Sequence, residues 1–366
     1  MRGTVCALIV ATGLAAQPTL AQPNGSASQF WKAAQATCSA TAAKPAGELG
    51  RRIAQTAIEE FIQFGGHQID ANGRLFHFGL TEAKHQAEES DRRGQLGDLG
   101  WRQVMKYWRA LYGGDIADKL EVRGYRDGST STDEAQAAAP LRTTASRLLR
   151  AAESESDPAE REILRETALR AAIIDTPWSA AFISYVIRQS GVPADAFSFA
   201  NAHRAYIYDA FATSAAELSK EAGDRLYRAC PVFTTRPRVG DMICHQREPT
   251  LADLSDEEVR ERIRFELNGG NGAHSVRRTH CEVIAYVDAP ARKVYTIGGN
   301  VNQAVSARKL NLRGRGLKIA AAQKGQCSGA GHWSLPQPVA HAPRASSVTN
   351  KCSLNDRKWF VLLQLR

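Results

Sequence analysis

TPWSAAFISYVIRQSG, residues 176–191, reads as the start of a helix that presents a nucleophile. Asp175 or Thr176 supplies a capping oxygen, and Pro177 suits a first turn, where a missing N–H costs little. Ser179 then falls near the helix N-terminus, where free N–H groups and the helix dipole favour developing negative charge. A serine hydroxyl still needs a general base within hydrogen-bond reach. The opposing reading makes Ser179 a small packing residue beside Trp178, or a local cap.

The candidate base lies downstream in HCEVIAYVD, residues 280–288. In an extended strand His280, Glu282 and Ile284 face one way, while Cys281, Val283 and Ala285 face the other. Cys281 therefore packs or is disulfide-bonded behind His280 and does not act beside it. A third member comes from YTIGGNVNQAV, residues 295–305, where Asn300 can orient an imidazole; Asn302 and Glu282 are rivals. The GGN run also reads as a turn requiring left-handed backbone angles. Asp241, in a Gly-Asp pair, anchors a turn or brings charge to a cleft. His203 stands one helical turn before Tyr206 and Ile207. Trp178, His203 and Asp241 are the candidates for contact with substrate, although Trp101, Trp108 and Trp178 all read first as core residues.

Three histidines with Asp241 could meet in space as a zinc site, but no HExxH or comparable spacing joins them. No phosphate-binding glycine loop and no GxSxG elbow occur. No metal and no cofactor are therefore expected.

Outward from the opening stretch, ELGRRIAQTAIEEFIQFG (48–65) and LGWRQVMKYWRALYGG (99–114) carry apolar residues at helical spacing and stop at paired glycines. DPAEREILRETALRAAIID (157–175) is a further helix, with Asp157 available as its cap. Charged or Ser/Asp-rich stretches near 84–98 and 126–140 read as inserted loops. Beyond residue 225 the pattern becomes strand-like, at Met242–His245, Cys281–Val287, Lys293–Gly298 and Val305–Leu312. Helices first and an antiparallel sheet second define an α+β fold.

The N-terminus carries Arg2, an apolar run over Val5–Ala16 and a Thr19-Leu20-Ala21 cleavage pattern, which reads as a signal peptide over residues 1–21. The expected location is periplasmic or secreted. About 345 residues follow, read as a leader at 22–47, one domain at 48–313 and a C-terminal extension at 314–366. Net charge is +9, or +8 without Arg2, which suits polyanionic surroundings and peripheral contact with a lipid surface. The basic residues are interleaved with acids and show no nucleic-acid-binding pattern, so no nucleic acid is expected. Nothing here sets an oligomeric state. Cys38, Cys230, Cys244, Cys281, Cys327 and Cys352 permit up to three disulfides in an oxidising compartment. Cys327 and Cys352 could close the C-terminal segment.

The succession TPWSAAFISYV, VGDMIC, HCEVIAYV, YTIGGNVNQAV resembles a bacterial family known only as a domain of unknown function. That family in turn resembles the CHAP and NlpC-type branch of the papain-like cell-wall amidases and peptidases, over roughly residues 48–313. The resemblance implies a papain-like α+β fold with N-terminal helices packed on an antiparallel sheet. It also implies a helix-borne Cys, a strand-borne His and a polar residue on the next strand. Ser179, His280 and Asn300 or a neighbour fall on those positions, and Gly240-Asp241 on the turn into the sheet. The implied activity is amide hydrolysis in peptidoglycan by a Ser-His-Asn/Glu arrangement. The alternative is an inactive module that binds envelope peptide, glycan or a protein partner. Serine at the cysteine position keeps both open, because a hydroxyl must surrender its proton during attack.

Overall fold

The computed structural model describes residues 27–71, 73–83, 100–125, 140–221, 223, 225–270, 275–321 and 354–366. The expected signal peptide, the inserted loops up to Pro140, and Cys327 and Cys352 lie outside these residues. No helix among the described residues is long and apolar enough to cross a membrane.

Helices form where apolar spacing places them. After α1 (Ala27–Ala42), α2 (Glu48–Gln63) buries Ile53, Ala57, Ile58 and Phe61, and α3 (Gly100–Tyr112) buries Trp101, Val104, Met105 and Trp108. A short α4 (Ala145–Ala152) precedes α5 (Pro158–Asp175). Asp157 caps α5 by accepting the N–H groups of Ala159 and Glu160, with Pro158 in the first turn. The opening stretch becomes α6 (Ser179–Gln189), followed by α7 (His203–Leu218) and α8 (Asp256–Leu267). The expected cap of α6 does not form. Instead the Thr176 hydroxyl and Asp175 carboxylate accept the N–H groups of Glu121 and Arg123, and Trp178 occupies the cap position.

Among the described residues, nine strands form one sheet and two form a separate hairpin. The strands are β1 (His67–Ile69), β2 (Leu75–His77), β3 (Glu121–Tyr125), β4 (Pro140–Thr144), β5 (Tyr227–Pro231), β6 (Met242–Gln246), β7 (Thr279–Asp288), β8 (Lys293–Val301), β9 (Ala304–Arg313), β10 (Lys318–Ile319) and β11 (Lys358–Leu365). The large sheet runs β2-β1-β9-β8-β7-β6-β11-β5, with β10 beside β9, and β3 and β4 form the hairpin. Among the described residues only the β1–β9 pairing is parallel. Alternation along β7 sends Cys281, Val283 and Ala285 into the main core with Phe182 and Val186 of α6. Ile284 joins Ile243, Val294, Leu310 and Leu362 in a smaller core on the other face. The result is an α+β fold with helices packed against a largely antiparallel sheet.

Two expected boundaries fall. The supposed leader contains α1, whose Cys38 is disulfide-bonded to Cys230 of β5. The supposed extension supplies β11, which lies inside the sheet between β6 and β5 and is buried from Trp359 onward. A unit ending at residue 313 would leave β5 and β6 with no shared neighbour. The second disulfide, Cys244–Cys281, joins directly opposed residues of β6 and β7.

Replacing Cys38 and Cys230 together by alanine opens a 192-residue connection. By loop entropy this is expected to lower the unfolding free energy by about 3–5 kcal/mol in chemical denaturation. A loss under about 1 kcal/mol would mean that packing alone secures α1.

Candidate functional site

Two glycines at the end of β8 give the site its room. A Cβ on Gly299 would stand 2.5 Å from Phe182 Cβ and 2.8 Å from the Trp178 ring, so the first turn of α6 rests directly on the strand backbone. On the opposite face, a Cβ on Gly298 would stand 2.8 Å from Glu282 Cγ and 3.1 Å from His280 Nε2. The left-handed angle expected of this run falls on Asn300, with φ of 53°, and not on either glycine. These glycines serve close approach.

Ser179 opens α6 and is 5% exposed. Its Oγ lies 2.7 Å from Nε2 of His203, the first residue of α7. His203 Nδ1 is hydrogen-bonded to the Tyr206 hydroxyl one helical turn on. The two helix starts are held together by Ser184, whose Oγ donates to the Ala200 carbonyl and accepts the Ala200 N–H. Ser179 is thus paired with His203, which was expected to touch substrate, and not with His280.

His280, 2% exposed, stands between two other histidines, its ring centroid 5.0 Å from His203 and 5.2 Å from His245. Neither of its ring nitrogens has a hydrogen-bond partner. Asn300 therefore does not orient it. Glu282 Oε1 is 3.7 Å from His280 Nε2, too long for a hydrogen bond. The Glu282 carboxylate is taken up by Arg308, at 3.1 Å from Nε and from Nη2, and by the Thr296 hydroxyl. Burial acts against its charge, but Arg308 prevails and holds Glu282 well below the usual carboxylate range.

Burial sets the histidines' charge. It pushes His203 and His245 well below the ordinary value of 6.5, with nearby His280 adding to the effect, and it lowers His280 too. All three are neutral near pH 7. Since the unfolded chain takes up these protons more readily, each histidine withdraws stability as pH falls below about 6.5.

A neutral imidazole carries one N–H, and Tyr206 decides where. Burial holds its phenol well above 10, so the hydroxyl keeps its proton. If Tyr206 donates to Nδ1, the ring proton sits on Nε2 and points at Ser179. If Tyr206 accepts from Nδ1–H, Nε2 is free to receive the Ser179 proton. A carboxylate would enforce the second state, but a phenol permits both. One hydroxyl hydrogen is left over in either case. Tyr206 is the more deeply buried, at 1% exposed, so donation by Tyr206 strands the less costly hydrogen, that of Ser179.

The remaining candidates have structural duties. Trp178 is fully buried, stacks on Phe64 at 5.8 Å and donates its indole N–H to Glu82, whose carboxyl burial pushes up to about 7. Asp241 is fully buried, and its carboxylate accepts the N–H groups of Leu365 at 2.9 Å and Arg238 at 2.8 Å. It anchors the turn into β6 against the end of β11, and burial pushes it up to about 7. A cavity of about 350 Å³ opens beside His280, lined also by His245, Arg247, Asn300 and Arg357. None of Ser179, His203, Trp178 and Asp241 lines it. Among the described residues, no group of three or more His, Cys, Asp or Glu side chains is placed to hold a metal ion. The site thus has two parts, a buried Ser179–His203–Tyr206 chain and an open cavity walled by His280.

A family described as "Uncharacterized protein conserved in bacteria (DUF2272)" matches residues 96–365, and the chain belongs to it. Its span takes in α3, both parts of the site and β11. No curated protein and no solved structure matches the chain.

Nitrogen-15 NMR of the histidine rings at neutral pH is expected to find His203 neutral and protonated on Nε2. Observation of the Nδ1–H form would instead mean that Tyr206 accepts and that Ser179 faces a ready base. Gly299→Ala is expected to destabilise the fold by about 1–3 kcal/mol in chemical denaturation, because Phe182 and Trp178 leave no space for a methyl group.

Proposed function

We propose that this chain is an exported cell-envelope protein of papain-like architecture that hydrolyses amide bonds of peptidoglycan through Ser179 and His203. The observation that carries the reading is the 2.7 Å contact between Ser179 Oγ and His203 Nε2 at the start of α6. Support for the architecture comes from the order of elements: a serine-bearing helix, a histidine-bearing strand, then the strand that carries Asn300 near its end. The signal-like N-terminal sequence and the two disulfides suit an oxidising compartment outside the cytoplasm.

In this reading His203 first takes the Nδ1–H form with Tyr206 accepting, and Ser179 Oγ then attacks the amide carbonyl carbon while its proton passes to His203 Nε2. First-turn N–H groups of α6, which lack intrahelical acceptors, stabilise the oxyanion. His203 then protonates the leaving amine as the C–N bond breaks. Water, deprotonated by His203, hydrolyses the acyl-serine, and the proton returns to Ser179. His280, which lines the separate cavity, has no part in these steps.

A second reading, a module that binds envelope peptide or glycan without cleaving it, is favoured by Tyr206. With its hydroxyl donating, His203 presents N–H to Ser179 and cannot take the serine proton. Purified peptidoglycan incubated with the protein, followed by mass analysis of released fragments, separates the two. Hydrolysis is expected to fall at least about a hundredfold in Ser179→Ala and in His203→Ala. Undiminished hydrolysis in Ser179→Ala would falsify the dyad. An inactive parent that gains activity only as Ser179→Cys would establish the binding module.

A further inference from the structure

The cavity beside His280 carries charge that the fold leaves unanswered. β11 pairs antiparallel with β6, Lys358 opposite Gln246, which brings Arg357 and Lys358 to the same end of the sheet as Arg247. Among the described residues, none of these three cations forms an ion pair, although Arg357 donates one hydrogen bond to the Asp356 carbonyl. Arg308 also reaches the cavity, but Glu282 neutralises it. Asp356 is the single acidic residue of the lining. Burial, and then the neighbouring Arg278 and Arg308 respectively, lower the Arg247 and Arg357 guanidiniums, with Glu282 and Asp356 partly offsetting this at Arg357.

A second observation is independent of charge. His280 is 2% exposed, lines the cavity and has no hydrogen-bond partner among the described residues on either ring nitrogen. A neutral ring has an N–H to donate, and leaving it unanswered inside a protein is costly. The turn from β8 to β9 adds a third. Asn300, Asn302 and Gln303 have φ of 53°, 52° and 62°, an unfavourable run for side-chain-bearing residues, and both asparagines line the cavity.

We infer that this cavity is a binding site for an oxyanion, a carboxylate or phosphate group carried by a small ligand. Planar guanidiniums at Arg247 and Arg357 suit the paired oxygens of either group. The His280 N–H and the Asn300 and Asn302 amides supply neutral donors. Its volume of about 350 Å³ accommodates the body of a ligand as well as its charged end. The site does not depend on Ser179 as a nucleophile, and it holds whether or not the protein cleaves amides.

The test is titration of the full chain with inorganic phosphate in one arm and acetate in the other. Calorimetry gives the affinity and ring-proton NMR reports on His280. One saturable site per chain is expected, with a Kd of about 1 mM or below for the better anion. The His280 signals should shift on saturation, and the tighter arm identifies the ligand group. Arg247→Gln and Arg357→Gln should each weaken binding about tenfold, while Ser179→Ala should leave it unchanged. An unperturbed His280 in both arms, or equal affinity in the double arginine variant, overturns the inference. Peptidoglycan cleavage without anion binding would also overturn it while leaving the hydrolase reading intact. Anion binding without cleavage does the reverse.

Discussion

The site rests on one buried ion pair. Glu282 and Arg308, 1% and 2% exposed at their side chains, lie on β7 and β9 and meet beneath the end of β8. Arg308 also donates to the Leu354 carbonyl and to Asn355, tying in the segment that leads to β11. Such a pair is weak grounds for stability, since desolvation offsets most of its attraction, yet losing one partner strands a buried charge. Its effect is therefore positional. With Glu282 committed to Arg308 and Thr296, the carboxylate is drawn away from His280, which is left as an unpartnered ring at the cavity wall.

That arrangement separates two duties that the strand pattern merges. A base beside a nucleophile and a donor facing a ligand are both plausible for His280 from its place on β7. The fold sets His203 against Ser179 and leaves His280 on the cavity wall. Tyr206, bonded to Nδ1 of His203, sets whether the ring nitrogen facing the serine carries the proton. Serine at this helix start is chemically coherent in either state. As a nucleophile it has its histidine at contact distance, and as an acceptor it completes a hydrogen-bonded chain.

Much of this was legible in the residues. Apolar spacing located α2, α3 and α5, and alternation located β6 to β9 and put His280 with Glu282 on one face. The Ser179–His203 pair was not legible, because it joins two helix starts separated by a loop, whose approach depends on tertiary contacts such as Ser184–Ala200. Its faint signal was local: His203 and Tyr206 one turn apart at the head of an apolar helix. β5 escaped because YRACP is buried throughout and shows no alternation. The Asp241 alternatives could not be resolved without knowing that the Leu365 N–H would reach it. The cationic cavity was hidden for the same reason, as it forms only once β11 is known to lie against β6.

The position of β11 also shapes how this protein must come into being. β5 and β6 are near neighbours in the chain but do not pair with each other; the strand they share lies on the order of 110 to 140 residues further on. Until residues 358–365 arrive, two apolar strand edges stand open to any passing chain, the situation in which strand-mediated misassembly begins. A protein built this way gains little from folding as it emerges. Its sheet is completed only when the residues of β11 are in place between β6 and β5.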